Sequence, residues 1–218
     1  MYEDIYERLT VHLDLANETN YLAYISKTLS NYVSGRSVLE IAPNAGRHTA
    51  VLTKCNPAHY TVVESDPTCI PQLQLFDAVN VVHDDVYKFY NTAYPADVVV
   101  CLGLLYHLHS PIYLLELIVN QSNPAYIIID NLTATETTMT AEYGFEFPNL
   151  PGNRYGGEIT KKVAGINCAL PLHVMTLAMR DLGYMEEFVD TDIKRFNAMS
   201  KFGFMVIYRN INHRHYSL

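Results

Sequence analysis

The stretch from Val38 to Thr49 constrains this chain more than any other. It reads as a short buried strand, a tight loop and the start of a helix. Glu40 sits where strand becomes loop. About twenty residues on, a second acid, Glu64, closes another apolar run from Tyr60 to Val63. An open parallel sheet holds a nucleoside with this pairing: loop and helix start on one side, ribose hydroxyls on an acid at the next strand end. The loop has one glycine, Gly46, where a pyrophosphate binder has three; Ala42 and Asn44 carry side chains instead. Those side chains would crowd a diphosphate, and Glu40 would repel one.

The rest of the chain alternates strands and helices. Apolar spacing predicts helix over residues 2–33, with a break between Asn17 and Asn20 and a stop at Gly35. Strands are expected over 37–42, 59–64, 79–83, 97–102 and 125–130. Helices are expected over 46–54, after Asp66-Pro67 as N-cap and first helical residue, and after Ser110-Pro111. Pro71 makes the second of these short or distorted. Pro171 to Gly183 reads as a last helix, and 184–189 with 202–209 as a closing pair of strands. The expected fold is α/β: a single Rossmann-like, doubly wound, mostly parallel seven-stranded sheet. Residues 1–35 would be an N-terminal helical cap, 36–131 the ligand-binding core, 132–168 an insertion after strand five, and 169–218 the closing elements.

Composition narrows the function. The chain has 218 residues, enough for one well-buried α/β domain. A net charge of −8 disfavours broad nucleic-acid binding. No apolar run reaches membrane-spanning length, and the acidic start, Met1 to Asp4, lacks the layout of a signal peptide. Four dispersed cysteines point to reduced thiols, so the expected location is cytoplasmic. His107-Leu108-His109 has no third ligand at matching spacing, so no metal is expected. The sequence carries no reading of oligomeric state. Nor does it explain why there are 17 tyrosines and no tryptophan.

Ligands of such sheets bind just beyond the carboxyl ends of the strands. Those positions are Glu40 to Gly46, Glu64, Asp84 to Val86, and Leu102 to His107. S-adenosylmethionine has no phosphate, so its loop tolerates small side chains, and Glu40 suits its ammonium group or a water bound there. The ordered set resembles the class I S-adenosylmethionine-dependent methyltransferases over residues 36–131, with a weaker echo over 168–209. Ala42, Asn44 and Gly46 stand where that family has three alternate glycines. Glu64-Ser65-Asp66-Pro67 matches its ribose acid and following proline. Asp84-Asp85-Val86 matches its turn after strand three, and Ala96 to Leu108 its fourth-strand motif, histidine included.

The resemblance implies S-adenosyl-L-methionine as cofactor, S-adenosyl-L-homocysteine as product, and methyl transfer to a small or flexible acceptor. The implied cofactor residues are Glu40, Ala42, Asn44, Gly46, His48, Glu64, Ser65, Asp85, Val86, Leu102 and Gly103. Asp85 would meet the adenine amino group; capping a turn is its other reading. His107 is the nearest candidate base, with Tyr106, His48 and Asn131 next, or else a histidine packed beneath the cofactor. Asn131, Tyr143, Phe145, Arg154 and Tyr155 would meet the acceptor, the last four from a lid over the mouth. Three other functions fit parts of the pattern. A nicotinamide-dependent oxidoreductase needs a loop open to pyrophosphate. A transfer-RNA methyltransferase needs a basic path to the pocket. A silent adenosyl-nucleoside-binding module needs neither base nor lid.

Overall fold

Each described strand carries apolar residues, and all seven find their place in one sheet. The computed structural model describes residues 15–108, 110–132, 170–191 and 203–213. Its elements are α1 (Leu15–Val33), β1 (Ser37–Ile41), α2 (Thr49–Leu52), β2 (His59–Glu64), α3 (Ile70–Leu73), β3 (Asn80–His83), α4 (Val86–Phe89), β4 (Val98–Leu102), α5 (Pro111–Ser122), β5 (Tyr126–Leu132), α6 (Leu172–Asp181), β6 (Tyr184–Asp190) and β7 (Gly203–Asn210). Short 3-10 turns cover Thr53–Cys55 and Leu105–His107.

The strand order is β3-β2-β1-β4-β5-β7-β6. Pairing is parallel from β3 to β5, and β7 runs antiparallel to both β5 and β6. The mostly parallel expectation therefore holds with a single reversed strand, inserted between β5 and β6. The order reverses between β1 and β4, which opens a crevice at their carboxyl ends. Central β4 is buried along its whole length, as its unbroken run of Val98, Val99, Val100, Cys101 and Leu102 requires.

Alternate strand residues feed two cores. Val38, Val62, Val100, Ile128 and Ile207 pack beneath Leu22, Ile25, Leu29 and Val33 of α1, with Leu52 of α2 and Leu73 of α3. Leu39, Val63, Val99, Ile127 and Val206 pack beneath Leu114, Leu115 and Ile118 of α5 and Met175 and Met179 of α6. Among the described residues, no helix is long and apolar enough to cross a membrane.

Three local expectations are corrected. Helix α1 runs unbroken through Asn17–Asn20, because a stripe of buried residues from Tyr21 to Val33 outweighs weak helix formers at its start. The helix after β1 begins at Thr49 rather than Gly46; residues 44–48 are turns. Asp66 does not cap a helix at Pro67. Its carboxylate accepts from the Thr68 amide and hydroxyl, closing an Asx-type turn, and the helix starts only at Ile70 with Pro71 in its first turn. Residues 1–14 and the insertion from 133 onward, which hold the remainder of the expected cap and lid, lie outside the described residues.

Candidate active site

The loop after β1 keeps a glycine-type backbone with only one glycine. Ala42, Asn44 and Gly46 all have positive φ, at 54°, 56° and 87°. Left-handed backbone costs a residue with a Cβ about 1–2 kcal/mol, less for asparagine. Gly46 has a further reason to be glycine: a Cβ there would lie 2.7 Å from Phe76 Cε2 and 3.0 Å from Leu73 Cδ2. Ala42→Gly is therefore expected to raise stability by about 0.5–1 kcal/mol, read as a higher midpoint in urea. A stability lowered by about 0.5–1 kcal/mol, the entropy cost of glycine alone, would show that Ala42 carries no backbone strain.

Glu64 fixes this loop. It is buried at the end of β2. Its Oε2 accepts from the Asn44 amide at 2.8 Å, and its Oε1 accepts from the amides of Ser65 and Asp66 at 2.7 and 2.8 Å. A carboxylate has about four acceptor sites, so three amides leave one on Oε2. The loop after β1 and the turn after β2 are thus tied to one carboxylate.

Glu40 lies deeper, at 1% exposure, on the face of β1 that looks toward α2. One oxygen, Oε2, accepts from the Thr49 hydroxyl at 2.5 Å and the Tyr60 hydroxyl at 2.9 Å. Burial pushes the carboxyl up to about 7, against the pull of those two hydroxyls. Oε1 takes no hydrogen bond from any described residue.

After β3, Asp85 caps α4, its Oδ1 accepting from the Tyr87 amide at 2.9 Å. Val86 is the first residue of that helix. Asp84 in turn accepts from the Asp85 amide. The capping reading of Asp85 is thereby met, and its second oxygen is not engaged in it.

After β4, Gly103 turns with φ of 79° and donates its amide to the Asp130 carbonyl of β5 at 2.8 Å. The Tyr106 hydroxyl folds back to 3.4 Å from where a Gly103 Cβ would sit. The Tyr106 amide donates to Asn131 Oδ1 at 3.2 Å, so fully buried Asn131 holds the 3-10 turn in place. His107 lies against the Tyr106 ring, centroids 4.2 Å apart. Burial lowers the His107 imidazole to about 4, so it is neutral at physiological pH. Among the described residues no group of acids, histidines and cysteines is placed to hold a metal ion.

No protein-family model matches the chain. Solved structures do. Magnesium protoporphyrin IX methyltransferase of Synechocystis, with S-adenosylhomocysteine bound, superposes with a TM-score of 0.64 at 9% identity over 89% of this chain and 84% of that one. The N-methyltransferase NodS of Bradyrhizobium japonicum, bound to the same product, gives 0.61 at 16% identity over 96% and 98%. An S-adenosylmethionine-dependent methyltransferase of Mesorhizobium loti gives 0.58 at 12% identity over 81% and 92%.

The chain has the class I methyltransferase fold.

On this methyltransferase fold, the residues singled out in the sequence from β1 to β5 come together along the carboxyl ends of β1 to β5. Glu40, Ala42, Asn44, Gly46, Glu64, Ser65, Asp85 and Val86 lie on the β1–β3 side. Leu102, Gly103, Tyr106, His107 and Asn131 lie on the β4–β5 side. Tyr143, Phe145, Arg154 and Tyr155 lie outside the described residues. Sequence reasoning missed the groups that hold the acids in place. Thr49 and Tyr60 anchor Glu40. Tyr21 of α1 donates to Asp130 at 2.6 Å and stands edge-on to His48, ring centroids 5.8 Å apart. The available signal was Tyr60, two residues from the partner of Glu40 in the β1–β2 register and on the same face.

Proposed function

We propose that this protein is an S-adenosylmethionine-dependent methyltransferase acting on a small or flexible acceptor. One observation carries the reading. The loop 42–46 makes three left-handed turns at alternate residues and is held by Glu64 at the point where strand order reverses. We read that backbone as the part of the site a ligand meets, on a fold whose solved neighbours hold S-adenosylhomocysteine.

The residues present fit this cofactor. The remaining acceptor site on Glu64 Oε2 suits a ribose hydroxyl. The unengaged oxygen of Asp85 and the backbone of Val86 suit the adenine edge. Oε1 of Glu40 suits the ammonium, directly or through a water. Ala42, Asn44, Gly46 and His48 line the loop, with Ser65 beside the ribose acid and Leu102 and Gly103 at the end of β4.

S-adenosylmethionine supplies an electrophilic sulfonium methyl. The protein's part is to align an acceptor with it, exclude water and, for an acceptor with a proton to lose, take that proton. His107 is the proposed base: neutral imidazole accepts a proton, and the residue follows β4, across the crevice from the β1 loop. Tyr106 and Asn131 set its position. Tyr143, Phe145, Arg154 and Tyr155 are proposed to contact the acceptor from the insertion. The acidic charge of the chain favours a small molecule over a phosphate backbone.

Calorimetry tests the assignment. S-adenosylhomocysteine and S-adenosylmethionine should bind and NAD should fail. Binding of NAD without either adenosyl ligand would sink it. A screen of small metabolites for transfer of a labelled methyl would then identify the acceptor.

A further inference from the structure

Helix α1 carries three tyrosines, and two of them, Tyr21 and Tyr24, lie three residues apart on one face and each donate to a carboxylate of the sheet. Tyr21 reaches Asp130 Oδ2 at 2.6 Å, and Tyr24 reaches Asp190 Oδ2 at 2.6 Å. Met205 of β7 pairs with both Asp130 and Asp190, so the two acids flank it in one row across β5, β7 and β6. Two bonds of one chemistry and one length therefore fasten the same helix to one row of residues across β5 and β6.

Their surroundings differ. Tyr24 meets the end of β6, away from the crevice between β1 and β4. Tyr21 meets both halves of that crevice. Its ring stands edge-on to His48 and lies beneath the Arg47 guanidinium, 5.7 Å from the ring centroid. His48 closes the β1 loop and starts α2, its carbonyl accepting from the amides of Val51 and Leu52. Asp130, at the other end of the tyrosine, accepts the Gly103 amide on its own carbonyl and precedes Asn131, which holds the Tyr106–His107 turn. Glu64 grips the β1 loop at Asn44, and Tyr21 grips it at Arg47 and His48.

We infer that Tyr21 is a positioning residue that locks the β1 loop to the end of β5, and so sets the cofactor affinity of the site. The inference rests on the methyltransferase reading above. The Tyr21 hydroxyl need not touch the ligand. Its short bond to a carboxylate fixes the ring that packs on His48, and that fixes the loop end a ligand must meet.

The test is calorimetry of S-adenosylhomocysteine on the full chain, with melting temperature measured beside it. Tyr21→Phe keeps the ring and removes the hydroxyl, and Tyr24→Phe does the same at the matched bond. Both should lower the melting temperature by similar amounts. Tyr21→Phe should weaken S-adenosylhomocysteine about five- to tenfold, while Tyr24→Phe stays within about twofold. In an Asp130→Ala background, which leaves the hydroxyl without its acceptor, Tyr21→Phe should add no further loss of affinity. Equal losses from the two tyrosines would make the effect one of helix docking alone and overturn the inference. So would an unchanged affinity in Tyr21→Phe. Failure of the unmutated protein to bind S-adenosylhomocysteine is a different result, and it removes the methyltransferase reading itself.

Discussion

Glu64→Ala is expected to lose cofactor and stability together. S-adenosylhomocysteine should bind more weakly by about 1.5–3 kcal/mol, the scale of a hydrogen bond to a charged group, or roughly 10- to 150-fold. The midpoint of urea unfolding should fall by a comparable free energy, without a change in slope. Both losses come from one carboxylate. Its three amide partners, at Asn44, Ser65 and Asp66, belong to two different turns. Truncation leaves those amides without their acceptor in a place where Glu64 itself is only 5% exposed. Water can reach some of them, which keeps the cost below three full desolvation penalties.

The conservative variant separates the two effects. Glu64→Gln retains one carbonyl oxygen but turns an NH2 toward at least one amide donor, so it too should destabilise, by less than alanine. A ligand hydroxyl that used the charge would feel this variant nearly as strongly as the alanine one. Weakened stability with an unchanged dissociation constant in both variants would show that Glu64 builds the loop and does not hold the ribose.

Much of this architecture was legible because its signals are local. Strand β2 matched its expected bounds, and the other six strands shifted by one or two residues at one or both ends, because an apolar run of strand length fixes an element's existence better than its ends. The site loop was legible in a subtler sense. Ala42 and Asn44 break the glycine pattern in letters, yet both residues keep the positive φ that the pattern stands for. What was not legible depends on contacts between distant segments. Tyr21 and Asp130 are 109 residues apart, and Tyr24 and Asp190 are 166 apart. Nothing in either local sequence announces the other.

The same kind of contact gives several of the chain's tyrosines a structural role. Tyr60 donates to Glu40, Tyr94 to Thr61, Tyr184 to the Pro124 carbonyl and Tyr87 to the Ser110 carbonyl. A tyrosine fills core volume with its ring and satisfies a buried acceptor with its tip. Here tyrosines bring hydroxyls to several polar groups of the sheet, among them Glu40, Thr61 and Asp130. Phenylalanine at Tyr21, Tyr24 or Tyr60 would leave Asp130, Asp190 or Glu40 one donor short. The helix-start errors have another cause. Pro67 and Gly46 are good local signals for a helix, but Asp66 spends its carboxylate on Thr68, and the left-handed turn at Gly46 delays the helix to Thr49.

His107→Ala is expected to lower turnover by about a hundredfold or more with an acceptor that must lose a proton, and to leave S-adenosylhomocysteine affinity within about twofold. The pH profile makes this specific. Burial holds the His107 imidazole at about 4 rather than its usual 6.5, so the neutral, proton-accepting form persists through the physiological range. An acid limb of kcat arising from His107 should therefore fall near pH 4, not near 6.5. Glu40 works in the opposite sense. Burial raises its carboxyl to about 7, so an ammonium-bearing ligand should bind less well as the pH drops through 7 and the partner charge is lost. The profile of kcat/KM for cofactor should show that limb, and Glu40→Gln should abolish it. Stability carries the same two signatures. A histidine lowered on folding stabilises above pH 6.5, and that contribution is lost as pH falls toward 4. A carboxyl raised on folding binds an extra proton between 4.5 and 7, so stability falls as pH rises across that window. The two slopes oppose each other between about 4.5 and 6.5. Glu40→Gln should expose the His107 slope, with stability rising with pH there and exceeding that of the unmutated protein above pH 7. If His107→Ala loses cofactor affinity but keeps turnover at saturating ligand, the imidazole packs beneath the cofactor, and the base, where one is needed, lies elsewhere.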